Sequence, residues 1–262
     1  MSSERVIGFA APAVVALLVL AGWEWIVRAN AIPHYILPGP LLILETLWTD
    51  GPGLMAALWI TLRTTLAALA VATGLGLVIA FALAQSRLIE RSLYPYLVVL
   101  QVTPIVSIAP LIIIWVDDLF FSLLVCAWIV AFFPIVANTT LGLNSVDRGL
   151  GDIFRLYGAG RWQTLMHLRL PTALPYFLAG VRISGGLALI GAVVAEFVAG
   201  TGGAESGLAS RILEAGYRLQ IPRMFAALLL LSIAGILINV TLGFIARRVL
   251  RAWHESALPS ER

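Results

Sequence analysis

DIFRLYGAGRWQTLMHLRLP, residues 152–171, is a polar, arginine-bearing segment set between apolar runs long enough to cross a bilayer. A membrane chain that keeps such a segment on one face, with glycine near its middle, is expected to grip something soluble with it. Working outward, apolar stretches of about 20 residues recur along the whole length. Of the 262 residues, 60% are hydrophobic and 12% charged, against roughly 25% charged in a soluble domain. The chain therefore reads as an all-α polytopic membrane protein. Six spans are expected, at 6–28, 56–84, 93–116, 119–142, 176–200 and 224–246. The first is too long for a signal peptide, and no small-x-small cleavage site precedes Trp23-Glu24-Trp25, so it reads as an uncleaved helix.

Several chemistries are excluded. All 17 basic residues are arginine. Without lysine there is no phosphate-binding loop and no Schiff base, so ATP, if it powers this protein, must bind another chain. Cys126 is alone and lies in an apolar run, which rules out an internal disulfide. His34, His167 and His254 lack metal-ligand spacing, so no metal site is assigned. No nucleophile, base and orienting group converge as an intramembrane enzyme would need. Gly200 to Gly207, GTGGAESG, is neither a phosphate loop nor a Gly-x-Ser-Gly protease site, since Ala204 stands where that motif needs glycine; it reads as an external loop. Residues 208–218 follow as a short amphipathic helix. The net charge of +3 carries information through its placement and does not indicate a nucleic-acid partner.

That placement sets orientation. Arg5, Arg87, Arg91, Arg148, Arg155, Arg161, Arg169, Arg247, Arg248, Arg251 and Arg262 fall on one face; Arg28, Arg211, Arg218 and Arg223 fall on the other. Eleven against four puts both termini and the 143–175 loop in the cytoplasm. Along the chain, residues 1–55 hold the first span and an external LPGP segment, Leu37 to Pro40, from which a short interfacial helix runs to about Trp48. Residues 56–246 form a core of five spans, and 247–262 a cytoplasmic tail. Pro95, Pro104, Pro110 and Pro134 lie within spans and free backbone carbonyls, so those helices should pack on protein or line a cavity. In the loop, Asp152 is expected to open a helix, Gly158 and Gly160 to reverse the chain, and Arg161–Leu168 to form a second helix that Leu170-Pro171 ends.

The loop resembles the pattern of bacterial ABC importer permeases: Glu-Ala-Ala, three residues, Gly, nine residues, Ile, one residue, Leu-Pro. Here Asp152, Ile153 and Phe154 stand for Glu-Ala-Ala and Leu168 for Ile, while Gly158 and Leu170-Pro171 match. Leu37-Pro38 with Pro40, the Pro104 region and Ala195-Glu196 extend the likeness over nearly the whole chain, towards the branch handling nitrate, taurine, sulfonates and pyrimidine vitamin precursors. The resemblance implies a type I ABC importer permease core in a bacterial inner membrane, working as a homodimer. Two ATPase subunits would hold ATP and Mg and seat the loop as a coupling helix. A periplasmic or lipid-anchored binding protein would deliver the solute. This chain would bind no cofactor. A self-sufficient secondary transporter is the alternative; such proteins carry repeated halves, and none is found here.

Within the fifth span, Gly180, Ser184, Ala188, Ala192 and Glu196 recur every four residues on one helix face and permit close helix approach. The partner face is either within the subunit or near the two-fold axis of a permease dimer. Glu196 reads either as a gate or pathway group or as a boundary carboxylate paired with Arg211 or Arg218. Arg63 and Arg182 read as snorkelling or helix-bridging groups, Asn239 as a helix–helix hydrogen-bonding residue, and Glu24 as an interface anchor.

Overall fold

The computed structural model describes residues 3–200 and 206–251, with side chains from residue 11 onward. Arg5, most of the 200–207 loop and most of the tail lie outside the side chains described. Among the described residues eleven α-helices run in order: α1 Ser3–Ala29, α2 Pro40–Thr49, α3 Gly51–Gln85, α4 Arg87–Val102, α5 Ile105–Trp115, α6 Leu119–Asn144, α7 Arg148–Leu156, α8 Arg161–Thr164, α9 Leu170–Ala199, α10 Leu208–Tyr217 and α11 Ile221–Leu250. Among these residues five elements are long and apolar enough to cross a membrane, and α4 with α5 forms a further apolar bent pair, either a broken span or a re-entrant loop.

The α4–α5 pair departs from the single span expected over 93–116. Its two halves meet at 95°. Pro104 cannot donate a backbone bond, and it pushes Thr103 into extended geometry with ψ near 121°. Thr103 bonds back to the preceding turn, its N–H and its hydroxyl both donating to the Val99 carbonyl, at 3.1 and 2.6 Å.

The chain divides into two compact units. The first comprises residues 1–59 and 200–232. Its core joins Ile43, Leu54, Ala57, Leu208, Ile212, Ala226 and Leu230. The short helices expected after LPGP and over 208–218 are α2 and α10. Glu24 of α1 does more than anchor at an interface. Its Oε2 accepts the Leu41 N–H at 3.2 Å, at the start of α2, and its Oε1 accepts from Arg28 Nε at 2.6 Å. A carboxylate at a helix N-terminus stabilises the unpaired N–H groups there. It also explains the glycine of LPGP: a Cβ on Gly39 would stand 2.6 Å from Glu24 Oε2. Arg211 and Arg218 both close on Glu214, at 2.9 and 3.0 Å, so the carboxylate these two arginines share is Glu214, one turn from each on the same short segment.

The second unit comprises residues 60–199 and 233–262. Its centre is the pairing of α6 with α9, around Ala131, Phe132, Ile135, Val136 and Ala188. Arg63 of α3 places its guanidinium 4.5 Å from the centroid of the Phe120 ring, a cation–π contact.

Candidate functional site: the loop before the fifth span

The first helix of the loop begins five residues earlier than expected. Asp147, not Asp152, is the N-cap of α7, its Oδ1 accepting the Leu150 N–H at 3.1 Å. Asp152 lies inside the helix as an exposed residue, 3.5 Å from Arg155, a surface ion pair of small worth. The reason is chain order: α6 ends at Asn144, Ser145 is committed to the end of α6 through its hydroxyl bond to the Gly142 carbonyl, and Asp147 is the next side chain able to cap the orphan N–H groups of the following helix.

The helix ends on a Schellman motif. Ala159 N–H donates to the Phe154 carbonyl at 2.9 Å and Gly158 N–H to the Arg155 carbonyl at 3.0 Å. Gly158 has φ +69°, where only glycine sits without a Cβ penalty. Gly160 is extended and reverses nothing; instead its N–H donates to Gln163 Oε1 at 2.8 Å, which opens α8. Of the two glycines expected to turn the chain, Gly158 alone does so.

Leu170-Pro171 does not end the second helix. From α8 the chain passes through a π-helical turn, Leu165–Arg169, straight into α9, giving one apolar element over Arg161–Ala199. A π turn inserts one residue and leaves one position without its ordinary backbone partner. Pro171, which has no N–H, fills such a position at no further cost. The loop's second half is thus a rigid extension of the fifth span.

Its attachments are specific. Leu168 is buried, and Leu165 packs on Ala84, Leu143 and Ala173. Arg169 Nη1 donates to the Ala84 carbonyl at the end of α3, at 3.2 Å. Phe154, Leu170 and Pro171 are half-buried. The far side is bare: Ile153 is exposed, as are Leu156 (85%), Tyr157 (88%) and Trp162 (70%). Large apolar side chains gathered on a polar loop mark an interaction surface. Leu156, Tyr157 and Trp162 were missed by pattern matching to the loop motif; their signal was aromatic and aliphatic character inside an arginine-rich segment.

The stripe on α9 is buried along its whole length, at Gly180, Ser184, Ala188, Ala192 and Glu196. Its close contact is with α6 of the same chain. A Cβ on Gly180 would stand 2.8 Å from the Pro134 carbonyl. Ser184 Oγ donates to the Ala131 carbonyl at 2.5 Å, in the turn of α6 that Pro134 disturbs. Ala188 packs among Ala131, Ile135 and Val136, and Ala192 against Ala127 and Ala68. Of the two partner faces left open by the sequence, this one lies within the subunit. Glu196, at 1% exposure, closes the stripe.

Residues 72–253 match the family described as "binding-protein-dependent transport system inner membrane component". The riboflavin transport system permease protein RibX of Chloroflexus aurantiacus is 35% identical over 251 residues, covering 93% of this chain and 90% of that one. The formylaminopyrimidine transport permease protein ThiX of Halalkalibacterium halodurans is 32% identical over 227 residues, covering 86% and 89%. A solved structure titled "Crystal structure of an amino acid ABC transporter with histidines" superposes with TM-score 0.62 at 18% identity, covering 78% of this chain and 97% of that one. The shared architecture is thus a transporter fold, and with a match over more than half its length the chain belongs to the family of binding-protein-dependent transport inner-membrane components, the permease subunits of ABC transporters.

Proposed function

We propose that residues 148–171 are the coupling segment through which a separate ATPase subunit drives this permease. One observation carries the reading: an exposed apolar tip formed by Ile153, Leu156 and Tyr157 at the end of α7 and by Trp162 on the helix continuous with the fifth span. Force applied at Trp162 reaches the span through unbroken helix, and force on the end of α7 reaches it across the short turn at Gly158. The ATPase would hold ATP and Mg; this chain contributes the passage. Arginine placement orients the loop and both termini to the cytoplasm of a bacterial inner membrane. Two copies would meet two ATPase subunits, and an external binding protein would deliver the solute. The names of the relatives support a small organic solute of the pyrimidine or riboflavin type, or a sulfonate- or nitrate-like anion.

The test is co-purification of the ATPase with wild-type chain and with Tyr157→Ala. The ATPase should follow the wild type and be lost from the variant at unchanged membrane levels. Equal recovery from both would remove the loop from the interface.

A further inference from the structure

Arg182 lies in the middle of α9, 13 residues beyond Arg169 and 17 before Ala199. At 1.5 Å per residue it is roughly 20 Å from Arg169 and about 26 Å from Ala199, and about 9 Å inside the expected start of the span at 176. Its guanidinium is tied to α11: Nη2 donates to Asn239 Oδ1 at 3.0 Å. Asn239 is itself about 12 Å short of Arg247 along that helix. One turn further, the guanidinium also lies beside Gly243 of α11, where a Cβ would stand 3.5 Å from Arg182 Cζ, at ordinary contact distance. Arg182 is nonetheless exposed at the surface of the chain. Among the described residues no carboxylate lies within 4.0 Å of it.

These facts constrain what that surface faces. A fixed cation at this depth does not look onto lipid tails; such groups face a protein interior or water. Asn239 is neutral and takes one of five N–H donors, so it orients the guanidinium without cancelling its charge. The planar fork that remains suits oxygen acceptors.

We propose that Arg182, positioned by Asn239, lines the aqueous passage of the transporter and binds an oxygen acceptor of the passing solute, either an oxyanion or a heterocycle carbonyl. This rests on the permease reading above and names a recognition group within it.

The experiment uses the whole transporter with Cys126, the single cysteine, changed to serine. Ala179→Cys places a thiol on the exposed position one turn from Arg182, on the side towards which the arginine side chain leans; Leu18→Cys on the exposed surface of α1 is the lipid-facing control. A membrane-impermeant methanethiosulfonate reagent should modify position 179 and spare position 18. Methanesulfonate or riboflavin should slow modification of 179 by about tenfold, and Arg182→Gln should abolish that protection. Protection by methanesulfonate identifies the oxyanion, protection by riboflavin the carbonyl. An unreactive 179, protection by neither probe, or protection that survives Arg182→Gln overturns the proposal. The motor reading is scored separately: ATP should alter the 179 reaction rate in the wild-type loop and not in Gly158→Val. If ATP has no effect in either, the coupling role fails while the passage assignment stands or falls on protection alone.

Discussion

Gly158→Val is the perturbation whose effect can be worked out most fully. Gly158 holds φ +69°, and a Cβ added there would meet nothing within 4 Å. The cost is therefore purely conformational, about 1–2 kcal/mol for an ordinary residue in the left-handed region, and at the upper end for β-branched valine. That corresponds to a factor of about 5–30 in the turn's equilibrium. Because the turn sits in an exposed loop with low local stability, the docking-competent fraction falls by up to that factor, and so does apparent affinity for the ATPase. Asparagine tolerates the same region, so Gly158→Asn should remain near wild type, Gly158→Ala should be intermediate and Gly158→Val weakest. The assay is ATPase binding to detergent-solubilised chain, with membrane abundance measured in parallel. Equal binding by all three variants, or a loss in which asparagine matches valine, would refute the conformational argument.

Other consequences follow from the same geometry. Tyr157→Ala and Trp162→Ala should each weaken ATPase binding by about 2 kcal/mol or more, without altering the thermal stability of the isolated chain. Gly180→Ile should reduce folded protein strongly, because its side chain would collide with the Pro134 carbonyl and Ile135; wild-type yield in a thermal aggregation assay would contradict the α6–α9 packing. Glu214 is held below its ordinary value of 4.5 by the Arg211 hydrogen bond, with the Arg218 charge adding to it. A lowered carboxylate stabilises fully above its unfolded pKa and ceases to as pH falls through the folded value. Hydrogen-exchange protection of α10 should therefore persist from neutral pH to about 4.5 and decline below it. In Glu214→Gln that acid-dependent decline should vanish.

The all-helical membrane fold and the function were readable because hydropathy acts over tens of residues, where single contacts average out. The loop motif was readable at Gly158, whose φ only glycine meets comfortably, and at Leu168 and Leu170-Pro171. Helix boundaries were not. Asp152 stands at the acidic position of the motif, yet Asp147 was nearer the end of α6 and took the cap. Pro171 looked like a terminator because a helix interior normally rejects proline, but the π turn at Leu165–Arg169 absorbs it. The same residue type broke the third span at Pro104, where Thr103 turned extended. Proline's outcome depends on whether neighbouring backbone can rearrange, and one-dimensional pattern does not record that. The α9 stripe announced a close helix contact and left the partner open; only Pro134 and Ala131 on the facing helix identify it as α6.

The central claim is that the 148–171 loop hands work from a cytoplasmic motor to the fifth span. With Cys126 replaced by serine, a single cysteine at Tyr157 tests it most directly, by labelling sealed vesicles of known orientation with an impermeant maleimide, with and without the ATPase subunit. The account predicts labelling only in inside-out vesicles, and its suppression when the ATPase is bound. Labelling from the outer side, or labelling unaffected by the ATPase, would contradict it.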